Sequence, residues 1–335
     1  MHADELDFRL PPELIAQHAA EPRDSSRLLV CDRATGAVRH RLFADVLDEL
    51  RDDDLLVVNR TRVRPARVLA LRETGGAAEV LLLEPREDGL WLALVRPYRR
   101  LRVGETVSAG ELRLTIRERL GEGRVLVLPE APRPLDEMLD LVGRMPLPPY
   151  ITEPLADPER YQTVYAERPG SAAAPTAGLH FTPALWREAG RRHQIASVTL
   201  DVGLDTFRPL TTEIVEQHHI HSERYSVPES SARMIERALS ERRRVVAVGT
   251  TSVRVLETVF GRPGAPLEGR TRLLITPGYE FRATGALITN FHLPRSTLLA
   301  LVMAFAGIER TRDLYRTAVS ERYRFYSFGD ACLFL

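Results

Sequence analysis

The chain has 335 residues, enough for one large domain or two of ordinary size, and its hydrophobic (44%) and charged (27%) contents are typical of globular proteins. Its 46 basic and 46 acidic residues balance, so the net charge argues neither for nor against a nucleic-acid partner. No lysine occurs, which excludes lysine Schiff-base chemistry and a P-loop lysine.

The cysteines and the apolar segments indicate a reducing, cytoplasmic setting. Cys31 and Cys332 lie at opposite ends of the chain, without the spacing of a zinc site or a disulfide framework. The N-terminal residues lack the apolar core of a signal peptide. The longest apolar run, residues 298–307, is too short to span a membrane, so we expect no membrane association.

Residues 1–66 predict alternating strands and helices. A strand at 28–32 and a helix at 43–50 with apolar residues at helical spacing precede a long buried strand. Asn59 and Arg62 interrupt the apolar run of that strand. Such an interruption indicates either an edge of the sheet or a functional site.

Residues 67–149 have a different character. Short apolar or alternating runs are separated by glycine-rich turns at a spacing of roughly ten residues, which predicts an all-β module, a small barrel. Since α/β segments flank this module, we expect an inserted β-barrel domain. Residues 1–66 and 150–335 then form one large α/β catalytic domain.

The predicted barrel carries a basic cluster around an aromatic residue. Tyr98, Arg99 and Arg100 belong to the stretch RPYRRLR. Basic groups beside an aromatic ring can contact an RNA backbone and a base. The alternative is a solvated loop between strands.

The stretch at 170–181, GSAAAPTAGLHF, is a loop of small residues that would let a backbone approach a ligand closely. Thr182 and Pro183 then begin a helix, and a helix N-terminus supplies free N–H groups. His180 would lie where a side chain can act on whatever the loop holds. The alternative is a tight connection with a satisfied histidine.

Two later strands, at 244–249 and 285–291, also finish in small, hydroxylic or ionisable residues. Ligands bind at the carboxyl ends of the strands in open α/β sheets, so these positions predict one shared site with the loop at 170–181. Its candidate residues are Thr176, Gly178, His180, Thr250, Thr251, Ser252, Asn290 and His292.

Three histidines, His218, His219 and His221, follow one another closely. Their spacing could suggest a metal site. No carboxylate or cysteine set of a familiar ligand pattern accompanies them, so a substrate-facing or structural role is preferred. We expect no metal.

Long motifs give the chain a family resemblance. The most specific stretches read APTAGLHF, VGTTSVR, ITNFHLP and YRFYSFGDA, and the matching segments run in order from Asp7 to Leu333. They resemble the S-adenosylmethionine:tRNA ribosyltransferase-isomerases of queuosine biosynthesis. The resemblance covers essentially the whole chain and implies an α/β domain with an inserted β-barrel.

The resemblance also implies an activity. Enzymes of this family transfer the ribosyl part of S-adenosylmethionine to the 7-aminomethyl-7-deazaguanine base (preQ1) at the wobble position of a tRNA. They rearrange the ribosyl unit to an epoxycyclopentanediol, giving epoxyqueuosine, and release adenine and methionine. The implied partners are S-adenosylmethionine as a co-substrate and a tRNA with a GUN anticodon. No permanently bound cofactor is implied, and we expect a cytoplasmic monomer.

The family scheme begins with loss of a proton from the carbon beside the sulfonium, which a modest base can accept if it is held close. His180, His292 and His221 all remain candidates for that base. Asn290 would hydrogen-bond the leaving adenine. The turn Thr250–Ser252 with Arg254 suits the methionine carboxylate.

Other residues are assigned by the same resemblance to S-adenosylmethionine or tRNA. Thr176 and Gly178 would contact S-adenosylmethionine. The candidates for tRNA contacts are Arg23, Arg27, Arg62, Tyr98, Arg99 and Arg100. Four aromatic residues either stack on a base or belong to the core, namely Tyr279, Phe281, Tyr323 and Phe325.

Two stretches depart from the family pattern. Asp201 and Asp205 stand in DVGLDTF, where the family has HVGxGTF, and Arg60 replaces the acid of NDTRV. The two carboxylates would favour a cationic or hydroxyl-bearing ligand and repel phosphate, so Asp201 and Asp205 are further candidates for substrate contacts.

Two alternatives to the tRNA enzyme follow from these departures and from the fold. One is a divergent paralogue that transfers the ribosyl unit to another amine, without tRNA. The other is a non-catalytic RNA-binding protein. The intact small loops at three strand ends argue against the second alternative, because a pure binding protein need not keep them.

Overall fold

The structure, a computed structural model, describes residues 1–203, 210 and 212–335. The chain divides into two compact units. The larger comprises Met1–Arg62, Pro148–Arg168 and Ala174–Leu335, and the smaller comprises Val63–Leu147 and Pro169–Ala173. The larger unit is an α/β structure and the smaller a β-barrel, so the predicted fold class is confirmed.

The strands of the described residues fall into a large sheet in the larger unit, a barrel in the smaller unit, and two short strands (β4 and β12) where the chain passes between the units. In chain order they are β1 (Arg27–Cys31), β2 (Val38–Leu42), β3 (Leu55–Asn59), β4 (Thr61–Val63), β5 (Arg67–Arg72), β6 (Ala77–Pro85), β7 (Trp91–Arg96), β8 (Thr106–Ala109), β9 (Leu112–Gly121), β10 (Arg124–Glu130), β11 (Gly143–Arg144), β12 (Arg168–Ser171), β13 (Gln194–Leu200), β14 (Glu223–Ser226), β15 (Val245–Val248), β16 (Glu268–Thr271), β17 (Ala286–Asn290) and β18 (Ala331–Phe334).

The helices are of two kinds, and none in the described part of the chain is long and apolar enough to cross a membrane. The α-helices are α1 (Leu135–Val142), α2 (Pro183–Arg192), α3 (Glu229–Ser240), α4 (Thr250–Val259), α5 (Thr297–Ala306) and α6 (Ile308–Ser320). Short 3-10 helices span Ala3–Leu6, Pro12–Leu14, Arg23–Ser25, Phe43–Glu49, Tyr98–Arg100, Pro158–Tyr161, Thr176–His180 and Val215–Gln217.

The large sheet has nine strands in the order β16-β14-β13-β3-β15-β17-β18-β1-β2. Its centre, β13-β3-β15-β17, is parallel. Successive side chains of a strand point to opposite faces. Val245 and Ala247 accordingly join one hydrophobic cluster, and Val246 and Val248 join another. Both faces of the central strands are therefore covered, which explains their unbroken apolar sequences.

The register of the central strands brings their carboxyl ends to one edge. Val248 pairs with Val58 of β3 on one side and with Ile288 of β17 on the other. β3 ends at Asn59, so the polar interruption seen in the sequence lies in the middle of the sheet, and its interpretation as a sheet edge is wrong. The side-chain amide of Asn59 donates to the Leu200 carbonyl oxygen (3.1 Å) and accepts from the Leu200 N–H (3.1 Å). It thus continues the link between β3 and β13 beyond the strand end.

The smaller unit is a closed barrel. Its strands follow the order β5-β6-β7-β10-β9-β8, β8 pairs back with β5, and β11 adds a short strand beside β5. Closure removes free sheet edges from the six barrel strands. Val80 of β6 and its cross-strand partner Val95 of β7 are both buried.

Candidate active site

A cavity in the larger unit lies where β15 and β17 end. Backbone and side chains from the 3-10 helix Thr176–His180, the start of α4 and the segment after β17 surround it. Its polar lining comprises Tyr150, Thr176, Thr250, Thr251, Thr289, Asn290, His292, Ser296, Tyr326 and Ser327. This position, at the carboxyl ends of parallel strands, is where open α/β sheets bind ligands.

The first turn of α4 presents hydrogen-bond donors to the cavity. Gly249 connects β15 to α4 with a φ of 89°, a conformation that glycine adopts without strain. Its carbonyl oxygen accepts from the N–H groups of Ser252 (3.1 Å) and Val253 (3.3 Å). Within the described ranges, the N–H groups of Thr250 and Thr251 and the buried hydroxyl of Thr251 have no hydrogen-bond partner. Free donors at the positive end of a helix dipole suit an anionic group.

Asn290, at the end of β17, is held on three sides. Its side-chain Nδ2 donates to the carbonyl oxygen of Tyr326 (3.1 Å) and to Nε2 of His180 (3.0 Å). Its Oδ1 accepts from the hydroxyl of Thr176 (3.0 Å). The contact with a backbone carbonyl identifies the atom there as the amide nitrogen, because a carbonyl oxygen can only accept.

His180 lies behind Asn290 and does not belong to the lining of the cavity. Its Nδ1 is 2.7 Å from the Ser26 hydroxyl, and its ring stacks on Phe43 at 4.8 Å. Burial, followed by the positive charges of Arg324 and Arg23, lowers the pKa of His180 to about 3. The imidazole is therefore neutral at physiological pH.

His292 does line the cavity. Its Nε2 is 2.8 Å from the hydroxyl of Thr289, and its backbone N–H donates to the hydroxyl of Tyr315 (3.0 Å). Burial lowers the pKa of His292 to about 3. A neutral imidazole in this position can accept a proton from a bound molecule.

Comparison with known proteins identifies the family. The model of the queuosine biosynthesis protein family matches residues 3–334. The chain belongs to that family. The resemblance expected from the motifs is thereby confirmed.

Individual relatives agree with this assignment. An S-adenosylmethionine:tRNA ribosyltransferase-isomerase of Rubrobacter xylanophilus is 56% identical over 340 residues, which cover 100% of this chain and 98% of the relative. A protein of the same name from Desulfitobacterium hafniense is 50% identical over 341 residues, 100% of both chains. The crystal structure of an S-adenosylmethionine tRNA ribosyltransferase from Thermotoga maritima is 38% identical, with a TM-score of 0.58 over 99% of this chain and 100% of that one.

Besides His180, the predicted site residues His221, Ser252 and Gly178 also lie away from the cavity lining. The side chain of His221 is exposed, on the segment before β14. Ser252 is fully buried, and its hydroxyl donates to the carbonyl oxygen of Val248 (2.8 Å). Gly178 faces Tyr165, whose hydroxyl oxygen lies 2.0 Å from the position that a Cβ atom would take.

Arg254 follows one turn after Thr250 on α4 and is buried in an ion pair with Glu223. Its Nε also donates to the carbonyl oxygen of Leu273 (3.1 Å). The other oxygen of Glu223 accepts from the backbone N–H of Gly203 (2.8 Å). To bind the methionine carboxylate as predicted, Arg254 would have to use a guanidinium group that already forms an ion pair with the Glu223 carboxylate.

Of the two aspartates that depart from the family pattern, Asp201 belongs to the described residues. Asp201 is half-buried, its carboxylate is 3.4 Å from the hydroxyl of Thr61, and its N–H donates to the Arg224 carbonyl oxygen (2.9 Å). Asp205 lies outside the described residues.

The three predicted tRNA-binding arginines of the larger unit have protein partners. Arg23 donates to the carbonyl oxygens of Gln162 (2.7 Å) and Glu159 (2.8 Å). Arg27 lies over the ring of Tyr323 (3.7 Å) and donates to a backbone carbonyl. Arg62 forms an ion pair with the carboxylate of Glu159.

The basic cluster of the barrel is more open. Tyr98, Arg99 and Arg100 form a short 3-10 helix, and both arginines are exposed. The Tyr98 hydroxyl accepts from the Gly121 N–H (3.1 Å), and Arg119 lies over its ring (4.1 Å). The guanidinium groups of Arg99 and Arg100 have no ion pair or hydrogen bond anywhere in the described part of the chain.

The sequence did not point to the aromatic side of the cavity. Tyr150 and Tyr326 line it and stack on each other at 4.3 Å, and the Tyr150 hydroxyl is 2.6 Å from that of Ser327. Tyr326 has a φ of 74°, which is unusual for a residue with a side chain and is often found at functional sites. Tyr323 and Phe325, the aromatic residues chosen from the same motif, are fully buried in the core. The sequence signal for Tyr326 was the motif YRFYSFGDA, which contains this cavity-lining residue together with the core residues Tyr323 and Phe325.

Among residues 1–203, 210 and 212–335, no group of three or more histidine, cysteine, aspartate or glutamate side chains is placed to hold a metal ion. Cys31 and Cys332 are both buried as free thiols.

Proposed function

We propose that this chain transfers and isomerises the ribosyl moiety of S-adenosylmethionine onto the preQ1 base at the wobble position of a tRNA, giving epoxyqueuosine-tRNA and releasing adenine and methionine. The observation that carries the proposal is a cavity whose donors at the start of α4 have no partner among the described residues, in a chain whose relatives over its full length are S-adenosylmethionine:tRNA ribosyltransferase-isomerases. The cavity combines donors, acceptors and a neutral imidazole, as this co-substrate requires.

The methionine carboxylate of S-adenosylmethionine binds at the first turn of α4. Thr250 and Thr251 offer their backbone N–H groups there, and Thr251 adds a buried hydroxyl without a partner in the described chain. Charge-assisted hydrogen bonds to such donors are stronger than neutral ones. Arg254 is engaged with Glu223, so we assign the carboxylate contact to the two threonines and give Arg254 the role of fixing α4.

His292 is the base that removes the proton beside the sulfonium. It is the one histidine among the three candidates that lines the cavity. Its Nε2 bonds the hydroxyl of Thr289, and the described residues supply no partner for its Nδ1. When Nδ1 accepts a proton, Nε2 can keep its own and donate it to Thr289. The sulfonium acidifies the adjacent carbon, so a weak base held in contact is sufficient.

The tRNA acceptor carries a GUN anticodon with preQ1 at its first position. Arg99 and Arg100 contact its phosphates, because their exposed guanidinium groups have no partner among the described residues. Arg23, Arg27 and Arg62 keep their internal partners and add positive charge near the RNA. We place the enzyme in the cytoplasm, where its tRNA substrate occurs, and expect it to act as a monomer.

Transfer to another amine without tRNA is not favoured. Asp201 and Asp205 suggested it, but the relatives over the full length of the chain are named for action on tRNA. Part of the Asp201 carboxylate is used by Thr61.

The proposed function is tested by release of adenine from S-adenosylmethionine. Three reactions are compared: tRNA that carries preQ1, the same tRNA with guanine at that position, and no RNA. Adenine release confined to the first, with a mass gain on the RNA equal to the rearranged ribosyl unit, is the expected result. Protein that binds S-adenosylmethionine and the modified tRNA but releases no adenine would contradict the proposal.

A matched pair of histidine variants tests the base in the same assay. His292→Ala should lower the rate of adenine release by about 10²- to 10⁴-fold, the usual contribution of a positioned base. His221→Ala removes an exposed imidazole outside the cavity and should leave the rate near that of the wild type. Equal losses in both variants would remove His292 from the proposed role.

A further inference from the structure

Thr176 and Asn290 form one side of the cavity, which we call the acceptor wall. The carbonyl oxygen of Tyr326 fixes the orientation of the Asn290 amide, since only the Nδ2 group can donate to it (3.1 Å). The second Nδ2 proton points to Nε2 of His180 (3.0 Å). Both amide protons of Asn290 are therefore used inside the protein.

Thr176 has no proton to offer either. Its single hydroxyl proton goes to Oδ1 of Asn290 (3.0 Å). What remains for a ligand is a lone pair on the Thr176 oxygen and the second lone pair of Oδ1. The wall can accept hydrogen bonds from a ligand and cannot donate them, so Asn290 has no proton for a ring nitrogen of adenine.

His180 completes this arrangement from behind. Because Nε2 accepts from Asn290, the ring proton of the neutral imidazole is on Nδ1, where it is donated to the Ser26 hydroxyl (2.7 Å). Stacking on Phe43 fixes the plane of the ring. Both nitrogens are occupied, and the ring is separated from the cavity by Asn290.

We propose that the acceptor wall binds a hydroxyl or amino group of the nucleoside part of S-adenosylmethionine, and that His180 is a positioning residue that keeps Asn290 in the accepting orientation. The inference rests on the proposed function. The methionine carboxylate needs donors and is bound by the first turn of α4, so the opposite chemistry of the wall suits the other end of the co-substrate. The ribose hydroxyls and the adenine amino group are the donors at that end.

Ligand binding without tRNA tests the wall. Calorimetry would compare S-adenosylmethionine with analogues that lack the 2′-hydroxyl, the 3′-hydroxyl, the 6-amino group of adenine or the α-amino group of methionine. The wild type should bind one of the first three about tenfold more weakly than the parent compound, and that analogue identifies the group at the wall. Thr176→Val should bind the parent compound about tenfold more weakly than the wild type does. In this variant, the affinities for the parent compound and for the same analogue should differ by less than about threefold. Thr176→Ser keeps the hydroxyl and should bind as the wild type does.

Three outcomes would overturn the inference. The first is that the wild type binds the three nucleoside analogues as tightly as the parent compound. The second is that the loss falls on the analogue without the α-amino group and vanishes in Thr176→Val. If the wild type binds no S-adenosylmethionine at all, the proposed function fails and the inference fails with it; the first two results leave the proposed function standing.

The positioning role of His180 has its own comparison. His180→Gln can place an amide oxygen where Nε2 accepts from Asn290, whereas His180→Leu cannot. We expect affinity for S-adenosylmethionine within about threefold of the wild type for His180→Gln and a loss of about tenfold for His180→Leu. The pH profile of adenine release should keep its shape in His180→Gln. An inactive His180→Gln with unchanged affinity, or equal affinities in folded preparations of both variants, would contradict positioning.

Discussion

Gly178 has no side chain because Tyr165 occupies the space where one would lie. A Cβ atom at this position would stand 2.0 Å from the Tyr165 hydroxyl oxygen and 2.8 Å from Cγ2 of Thr163. Tyr165 cannot easily withdraw, since its ring packs against Trp186 at 4.4 Å. The glycine is required for packing of the loop against the core and has no part in the lining of the cavity.

Gly178→Ala should therefore lower the free energy of unfolding by about 1–3 kcal/mol, the usual cost of forcing atoms into a packed core. The Tyr165 hydroxyl is buried and lacks a hydrogen-bond partner among the described residues. Tyr165→Phe alone should leave the stability unchanged or raise it by up to about 1 kcal/mol. In Gly178→Ala/Tyr165→Phe, part of the loss should be recovered. Denaturant unfolding of the four proteins measures this, and strictly additive effects would rule out the contact as the cause.

The His180 and His292 side chains show how two histidines of one site differ although burial gives both a pKa of about 3. One has both ring nitrogens occupied behind Asn290, and the other borders the cavity. Equal protonation states thus allow different roles, because access to the ligand decides between a positioning group and a base.

At the scale of elements, helix α4 couples the sheet to the cavity. It begins directly after β15, and the turn at Gly249 leaves two backbone donors of the described chain at its start. Its far end is fixed separately, where the hydroxyl of Thr258 lies 2.8 Å from that of Thr271. The same helix therefore carries two threonines for a matched comparison: Thr251 at the cavity is the test position, and Thr258 at the far end is the control.

Thr251→Val should weaken binding of S-adenosylmethionine about tenfold, because it removes one hydroxyl donor and leaves the backbone of α4 in place. Thr258→Val breaks the hydrogen bond with Thr271 and should change the stability but not the affinity. Calorimetric titration of both variants makes the comparison. Equal affinities of Thr251→Val and wild type would show that the Thr251 hydroxyl does not bind the carboxylate.

The sequence predicted the elements better than the directions of side chains. The regular spacing of apolar runs between residues 67 and 149 was sufficient for the barrel, and it was confirmed. Parallel strands end at one edge, so Thr250 and Asn290 were correctly expected to lie near each other, and both line the cavity. Whether His180 faces the ligand depends on contacts with Ser26 and Phe43, which are distant in sequence and leave no local pattern.

At the scale of the whole molecule the net charge is zero, but the arginines differ in whether they have partners within the protein. Arg23 and Arg62 in the larger unit are bound to protein groups. Arg99 and Arg100 in the barrel are exposed and, as far as the structure describes the chain, unpaired. Only arginines of the second kind can neutralise phosphates without first giving up an internal partner.

The double variant Arg99→Gln/Arg100→Gln should therefore weaken tRNA binding. It should also reduce the magnitude of the slope of log K against log[salt] by about one to two, because fewer counterions are released when two phosphate contacts are lost. Arg113→Gln/Arg117→Gln removes the same charge from β9, where both arginines are also exposed. Fluorescence titrations of labelled tRNA at several salt concentrations compare the two. If the β9 variant loses affinity and slope equally, the effect reflects overall charge. If neither variant changes the slope, the tRNA contacts must come from arginines that exchange their internal partners for phosphate on binding.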